Sequence, residues 1–238
     1  MLHKLACAMT LVFASAVAVS AQTVDDVIAR NIEAKGGLDR LRAVETLRMT
    51  GTMTVGPGME APFVMEFKRP SMLRMDVTYH GTTVVQAFDG KMGWTQNPIA
   101  GDAAPTPVPP EVLRVMEEQA DFDGPLVEYK AKGHKIDLEG KEGGAYKLRI
   151  TFKNGQVRYY FLDATTFLET RVEGKTNVLG RETETVGTIG DYRDVNGIKL
   201  PHAMESAPKG SPQKQKMIVQ KVEVNPPIDD SRFRMPSR

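Results

Sequence analysis

The 238-residue sequence describes an α+β protein, one large, curled antiparallel sheet with helices against one face. Three observations point there. Apolar and polar residues alternate with a period of two over most of the chain, turn dipeptides separate the alternating runs, and helical spacing is confined to short stretches.

Thr23 and Asp26 form a capping pair ahead of Val24, Val27, Ile28 and Ile32, which share one helical face. Gly36-Gly37 closes that helix, and Leu38 to Val44 makes a second short turn or helix. Alternation then begins. Leu47, Met49, Gly51, Met53 and Val55 face one way, and Arg48, Thr50, Thr52 and Thr54 the other. After the Gly56-Pro57-Gly58 turn, Phe63, Met65 and Phe67 oppose Glu66 and Lys68. After Arg69-Pro70, Leu73, Met75, Val77 and Tyr79 oppose Arg74, Asp76 and Thr78. Three such strands in succession describe a meander with one wet face. Thr82 to Phe88 and Gly93 to Gln96 continue it across Asp89-Gly90.

Five of the 15 prolines crowd between Pro98 and Pro110, which argues against regular sheet there. They lead into a helix from Glu111 to Ala120, with Val112, Leu113, Met116 and Ala120 as its apolar stripe and Arg114, Glu117 and Glu118 on its solvated side. Further strands are expected over Glu128–Leu138, Ala145–Phe152, Val157–Leu162, Leu168–Val172, Arg181–Tyr192, Ile198–Ser206 and Lys216–Val222. Turns fall at Gly143-Gly144, Asn154-Gly155 and Asn196-Gly197. Nothing marks a domain boundary, so residues 22–238 are read as one domain.

Residues 1–21 read as a secretory signal. A short basic start at His3-Lys4 precedes an apolar run from Leu5 to Val19, and Val19-Ser20-Ala21 offers small side chains for cleavage after Ala21. The run is too short to span a membrane comfortably. Cleavage removes Lys4 and leaves 30 basic and 30 acidic residues, a balance that gives no electrostatic reason to expect a nucleic-acid partner. It also removes Cys7, the only cysteine, and with it any disulfide, thiol chemistry or cysteine-borne lipid anchor. The mature chain is expected to be soluble, periplasmic and monomeric.

Catalytic signatures are wanting. His80, His134 and His202 each stand alone in their segments, and no metal-ligand spacing, nucleophile elbow or phosphate-binding glycine loop is present. No catalysis, cofactor or metal is expected. The notable feature is methionine: 13 Met in all, of which Met49, Met53, Met65 and Met75 fall in register on the inward face of the first three strands. An unbranched thioether repacks around irregular apolar shapes, which suits either an ordinary core or a pocket for flexible acyl chains.

Glu66-Phe67-Lys68-Arg69-Pro70, followed by Phe88-Asp89-Gly90-Lys91-Met92-Gly93-Trp94-Thr95-Gln96-Asn97-Pro98, resembles the outer membrane lipoprotein-sorting proteins of the LolA/LolB superfamily. Asp191-Tyr192-Arg193-Asp194-Val195-Asn196-Gly197-Ile198-Lys199-Leu200-Pro201-His202 is similar to that group's penultimate hairpin. Extra strand-rich sequence around Val127 to Val172 and the Gly36-Gly37 helix pair fit the broader sorting-protein group. The resemblance implies an unclosed antiparallel half-barrel of about 11 strands with helices over its hollow. It further implies a carrier that binds lipid or lipoprotein acyl chains for transfer toward the outer membrane, with a donor or receptor in the envelope. On that reading Leu47, Met49, Met53, Phe63, Met65, Phe67, Leu73, Met75, Val77 and Trp94 line the hydrophobic site. Ile28, Ile32, Val112, Leu113 and Met116 belong to the lid, and Arg69 of the K-R-P motif holds the lid closed. The alternatives are an envelope sensor or accessory protein-binding module of the same fold, and a hydrolase using one of the three histidines.

Overall fold

The computed structural model describes residues 22–178 and 181–237; the expected signal segment, residues 1–21, lies outside the described residues. The described residues form three α-helices, α1 (Val24–Ala34), α2 (Leu38–Arg42) and α3 (Pro110–Gln119), and thirteen strands. Strands β1 (Thr46–Gly56), β2 (Met59–Lys68), β3 (Met72–Tyr79), β4 (Thr82–Phe88), β5 (Gly93–Asn97) and β6 (Asp102–Pro107) form one meander. Strands β7 (Lys135–Glu142), β8 (Ala145–Thr151), β9 (Val157–Asp163), β10 (Glu169–Val178), β11 (Arg181–Val195), β12 (Ile198–Pro208) and β13 (Gln215–Val224) form the other. Antiparallel pairing of β1 with β13 joins the two into a single sheet whose free edges are β6 and β7. The sheet is an unclosed half-barrel, and α3 lies on the connection between its free edges.

The local reasons match the residue pattern. Thr23 and Asp26 form a reciprocal capping box at the start of α1. Pro110 occupies the first position of α3, where a missing N–H costs nothing. Asn196 and Gly197, both with positive φ, make the tight turn between β11 and β12. At Gly51, an added Cβ would lie 1.9 Å from the Ile218 carbonyl oxygen, at a bulge in the β1–β13 ladder, so a side chain is excluded there.

Four expectations need correction. The proline-rich stretch does contain a strand: β6 pairs irregularly with β5, which an edge strand with unused N–H positions permits. The strand expected from Glu128 begins only at Lys135. Glu128 and Gly133 adopt positive φ, and Lys132 N–H to Glu128, Gly133 N–H to Lys130 and His134 N–H to Tyr129 build successive turns instead. Glu118 of α3 is not solvated; it accepts from Arg158 of β9 and from Asn154 Nδ2 at 3.1 Å, tying α3 to the second meander.

The outer face of the first meander is not simply wet either. The C-terminal segment crosses it and buries Ile228 and Phe233. Arg232 reaches Glu66 Oε2 at 2.9 Å and Asp76 Oδ2 at 3.2 Å, while Arg48 donates to Glu66 Oε1 at 2.9 Å. Glu66 is thereby buried between two cations, a pairing that buried carboxylates require. Alternation located these charges correctly on the outer face; what covers them comes from more than 150 residues downstream.

Candidate functional site

The concave face carries two separate apolar clusters. One joins residues of α2, α3 and the turn at Phe122 to β1–β4, β12 and β13, with α3 itself lying against β4 and β5, and it contains Leu47, Met49, Phe63, Phe67, Leu73 and Met116 as buried members. Ile32, Met53, Met65, Met75, Val77, Val112 and Leu113 pack against it while remaining partly exposed. The other packs Val27 and Ile28 of α1 onto β7–β9. The structure thus brings together all but two of the residues expected to line the site or its cover.

The exceptions are Ile28, which seals the second cluster, and Trp94. Trp94 is paired with Ala87, and both point to the outer face, where Trp94 Nε1 donates to the Phe233 carbonyl at 2.8 Å. Its neighbour Gly93, paired with the core residue Phe88, faces the helices instead. A Cβ on Gly93 would meet Val108 at 2.8 Å and Leu113 and Met116 at 3.1 Å, so the glycine is what lets α3 settle onto the sheet.

The register reveals a methionine band wider than alternation in three strands could show. Met75, Met65 and Met49 are directly opposed across β3, β2 and β1. Met53, Met217 and Met204 are directly opposed across β1, β13 and β12. Met49 and Met53 lie on the same face of β1, so six methionines cover five adjacent strands in one cluster. Met204 and Met217 were missed because β1–β13 pairing spans almost the whole described chain. Alternating Met217 and Val219 in a strand pattern was the available signal.

Arg69 sits where β2 ends. Its Nε donates to the Val44 carbonyl at 2.7 Å and its Nη2 to the Leu41 carbonyl at 2.9 Å, both at the end of α2. The same guanidinium grips Asp123 with two bonds of 2.6 and 2.8 Å, and it lies 4.7 Å from the Phe122 ring centroid. Donating to the Asp123 carboxylate pushes the Arg69 pKa further up. One side chain thus joins the sheet to α2 and to the turn after α3. That turn is pinned again by Lys132, which donates to both oxygens of Asp121 at 2.6–2.8 Å and to the Gly124 carbonyl at 2.8 Å.

Beneath this latch lies a cavity of about 240 Å³, lined by Leu41, Val44, Leu47, Phe122, Ile198 and Leu200 among others, with Lys35, Glu169 and Tyr192 on its polar wall. Lys35 Nζ is 3.2 Å from Glu169 Oε1, and Tyr192 Oη donates to the Glu169 carbonyl and Oε2 at 2.9 and 3.1 Å. Burial pushes the Glu169 carboxyl up, but the Lys35 charge and hydrogen bonds outweigh it and hold it below the ordinary range. Larger concavities, about 620 and 1070 Å³, are open surface grooves away from the cover. Arg149, Glu173, Lys175, Glu184 and Lys209 are among the residues of the first, and the Gly56-Pro57-Gly58 turn edges the second.

The histidines do not converge. His80 sits in the β3–β4 turn, His134 Nδ1 accepts from the Lys153 N–H at 3.2 Å, and His202 is buried with Nδ1 2.9 Å from the Leu200 carbonyl. Among the described residues no group of three or more His, Cys, Asp or Glu side chains is placed to hold a metal ion. Among the described residues, too, no helix is long and apolar enough to cross a membrane.

These features define an open half-barrel whose apolar concave face is covered by helices, the LolA-like fold. A LolA superfamily protein, NE2245 from Nitrosomonas europaea, shares it with a TM-score of 0.60 and 13% identity over 90% of this chain and 98% of that one. A DUF1329 family protein from Desulfovibrio piger aligns with a TM-score of 0.58 and 12% identity over 90% of this chain and 98% of that one. A putative outer membrane lipoprotein-sorting protein domain from Vibrio parahaemolyticus aligns at 0.55 and 13% over 87% and 95%. No family model matches the chain, and no curated protein matches it in sequence. At these identities the likeness is one of fold.

Proposed function

We propose that this protein is an exported, periplasmic carrier that takes lipid or lipoprotein acyl chains onto its methionine-lined concave face and passes them toward the outer membrane without bond-making chemistry. The six-methionine band, in the same apolar cluster as Met116 of α3, is the observation that carries the reading. Thioether side chains can repack around an entering chain at little strain, and five of the six remain partly exposed. The fold shared with a putative lipoprotein-sorting domain supports the same reading, as does the export signal expected at residues 1–21.

The closed form is too small for a whole lipid, since binding pockets for drug-sized ligands run to roughly 300–1,000 Å³. Loading therefore requires α2, α3 and the Phe122 turn to move away from the sheet, breaking the Arg69 bonds. Burial of a methylene contributes about 0.8 kcal/mol, so a chain of roughly 14 methylenes offers about 11 kcal/mol. The four hydrogen bonds of Arg69 contribute roughly 1–3 kcal/mol each at most. The two contributions are of similar size, so closed and loaded forms are closely balanced, and an envelope receptor with a better apolar site tips the balance toward release. Delipidated protein should take up an acylated peptide and a neutral fluorescent lipid probe with saturable binding; absence of uptake of both defeats the carrier reading.

A further inference from the structure

We infer that the small cavity beneath the Arg69 latch is a headgroup subsite selecting a neutral amphiphile whose head both accepts and donates a hydrogen bond, a carboxamide or an alcohol, over a free fatty acid. The inference rests on the carrier reading and specifies the head that such a ligand presents.

The polar wall is a donor beside an acceptor, and neither is saturated. Lys35 is 14% exposed and Glu169 9%. An ammonium has three N–H donors, and among the described residues only Glu169 accepts from Lys35. The Glu169 carboxylate has about four lone-pair positions; Lys35 and Tyr192 use two of them and the Asn31 side chain approaches a third. The remaining capacity suits a group that accepts from Lys35 and donates to Glu169.

Charge decides against an acid. Lys35 and Glu169 already neutralise each other, Asp123 on the same lining is held by Arg69, and the other lining cation, Lys199, is exposed; burial penalises any ion left without a partner. A carboxylate entering beside the pair would be a second anion competing for Lys35, whereas a carboxamide or hydroxyl leaves the pair balanced. Size and direction agree. At about 30 Å³ per water-sized group, the 240 Å³ cavity holds a head and the first few carbons of a chain. Leu47 lines the cavity and stands two residues before Met49 on the same face of β1, so the chain would run on toward the methionine band.

The test is displacement of a neutral naphthylamine fluorophore from delipidated full-length protein by octanamide, octanol and octanoate at neutral pH. Octanamide and octanol should compete roughly tenfold better than octanoate, a difference readily resolved in Kd. Glu169→Gln leaves Lys35 unneutralised and should reverse the order in favour of octanoate. The double change Lys35→Met with Glu169→Leu should abolish the discrimination while the fluorophore still binds. Equal or tighter binding of octanoate by the unaltered protein overturns the subsite and leaves the carrier reading intact. Failure to bind the fluorophore or an acylated peptide at all overturns both.

Discussion

On the β7–β9 side of the sheet, α1 seals a core in which Leu148, Ile150 and Leu162 are completely buried. On the β1–β3 side, Met53, Met65, Met75 and Val77 stay partly exposed at the margin of the cluster that α2 and α3 join. The first is built of branched and aromatic side chains without methionine; the second adds a band of flexible thioethers to its branched and aromatic members, under a cover tied down by Arg69. Branched residues have few rotamers and pack to one shape, while methionine has several of similar energy. The same antiparallel sheet thus provides a rigid half and a deformable half, and only the deformable half carries the latch.

The widest gap between the halves should appear on truncation. Leu148→Ala opens a cavity in the sealed core and should cost about 3 kcal/mol, whereas Met65→Ala, at a partly exposed site, should cost about 1 kcal/mol. Urea unfolding of the two variants reads the difference, and equal losses would mean that the methionine face is as closed as its counterpart.

Removing the latch comes next. Arg69→Ala leaves Asp123 partly buried without its cation and should cost about 2 kcal/mol. It should speed amide exchange in α2 and in the Phe122 turn while leaving α1 unchanged. Faster exchange in α1 as well would show that the two covers move as one. Gly93→Ala forces a methyl group against Val108, Leu113 and Met116 and should cost roughly 1–2 kcal/mol by overpacking. Its effect on lipid uptake should exceed its effect on global stability, because it holds α3 off the sheet.

The smallest effects concern acid. Glu169 has a folded pKa below its ordinary 4.5, so its stabilisation is complete above 4.5 and is lost as pH falls through the folded value. Asp121, under the cover, is pushed above 3.8 chiefly by burial, which outweighs Lys132. The folded chain therefore holds that proton where the unfolded chain releases it, and Asp121 favours folding increasingly as pH falls toward 3.8. Glu169→Gln should make the acid loss of urea resistance shallower, and Asp121→Asn should make it steeper. Identical slopes in both variants would remove the electrostatic difference between floor and cover.

Much of this was legible along the chain. Capping at Thr23, the glycine turns and the alternation of β1–β3 are local effects, set by residues within a few positions of one another. The inward direction of Met49, Met53, Met65 and Met75 follows from the strand period alone. Trp94 was misplaced because no such count tells which face a short strand after a turn presents; its pairing with Ala87 does. The strand expected from Glu128 failed because alternating apolar residues also occur in a chain of turns, where Leu126 and Val127 plug the core without a ladder.

The sequence by itself determined which residues could be apolar lining, where the hairpins turn, and that an arginine stands at the end of β2. Only the tertiary structure decided that β13 closes on β1, that Met204 and Met217 complete the band, and that Arg69 reaches α2 and Asp123. It alone placed Lys35 beside Glu169, 134 residues away, on the wall of a cavity. The physical reason is the range of the forces involved. Backbone preference and side-chain period act over a few residues, whereas burial and charge pairing act through space, between segments the sequence keeps far apart.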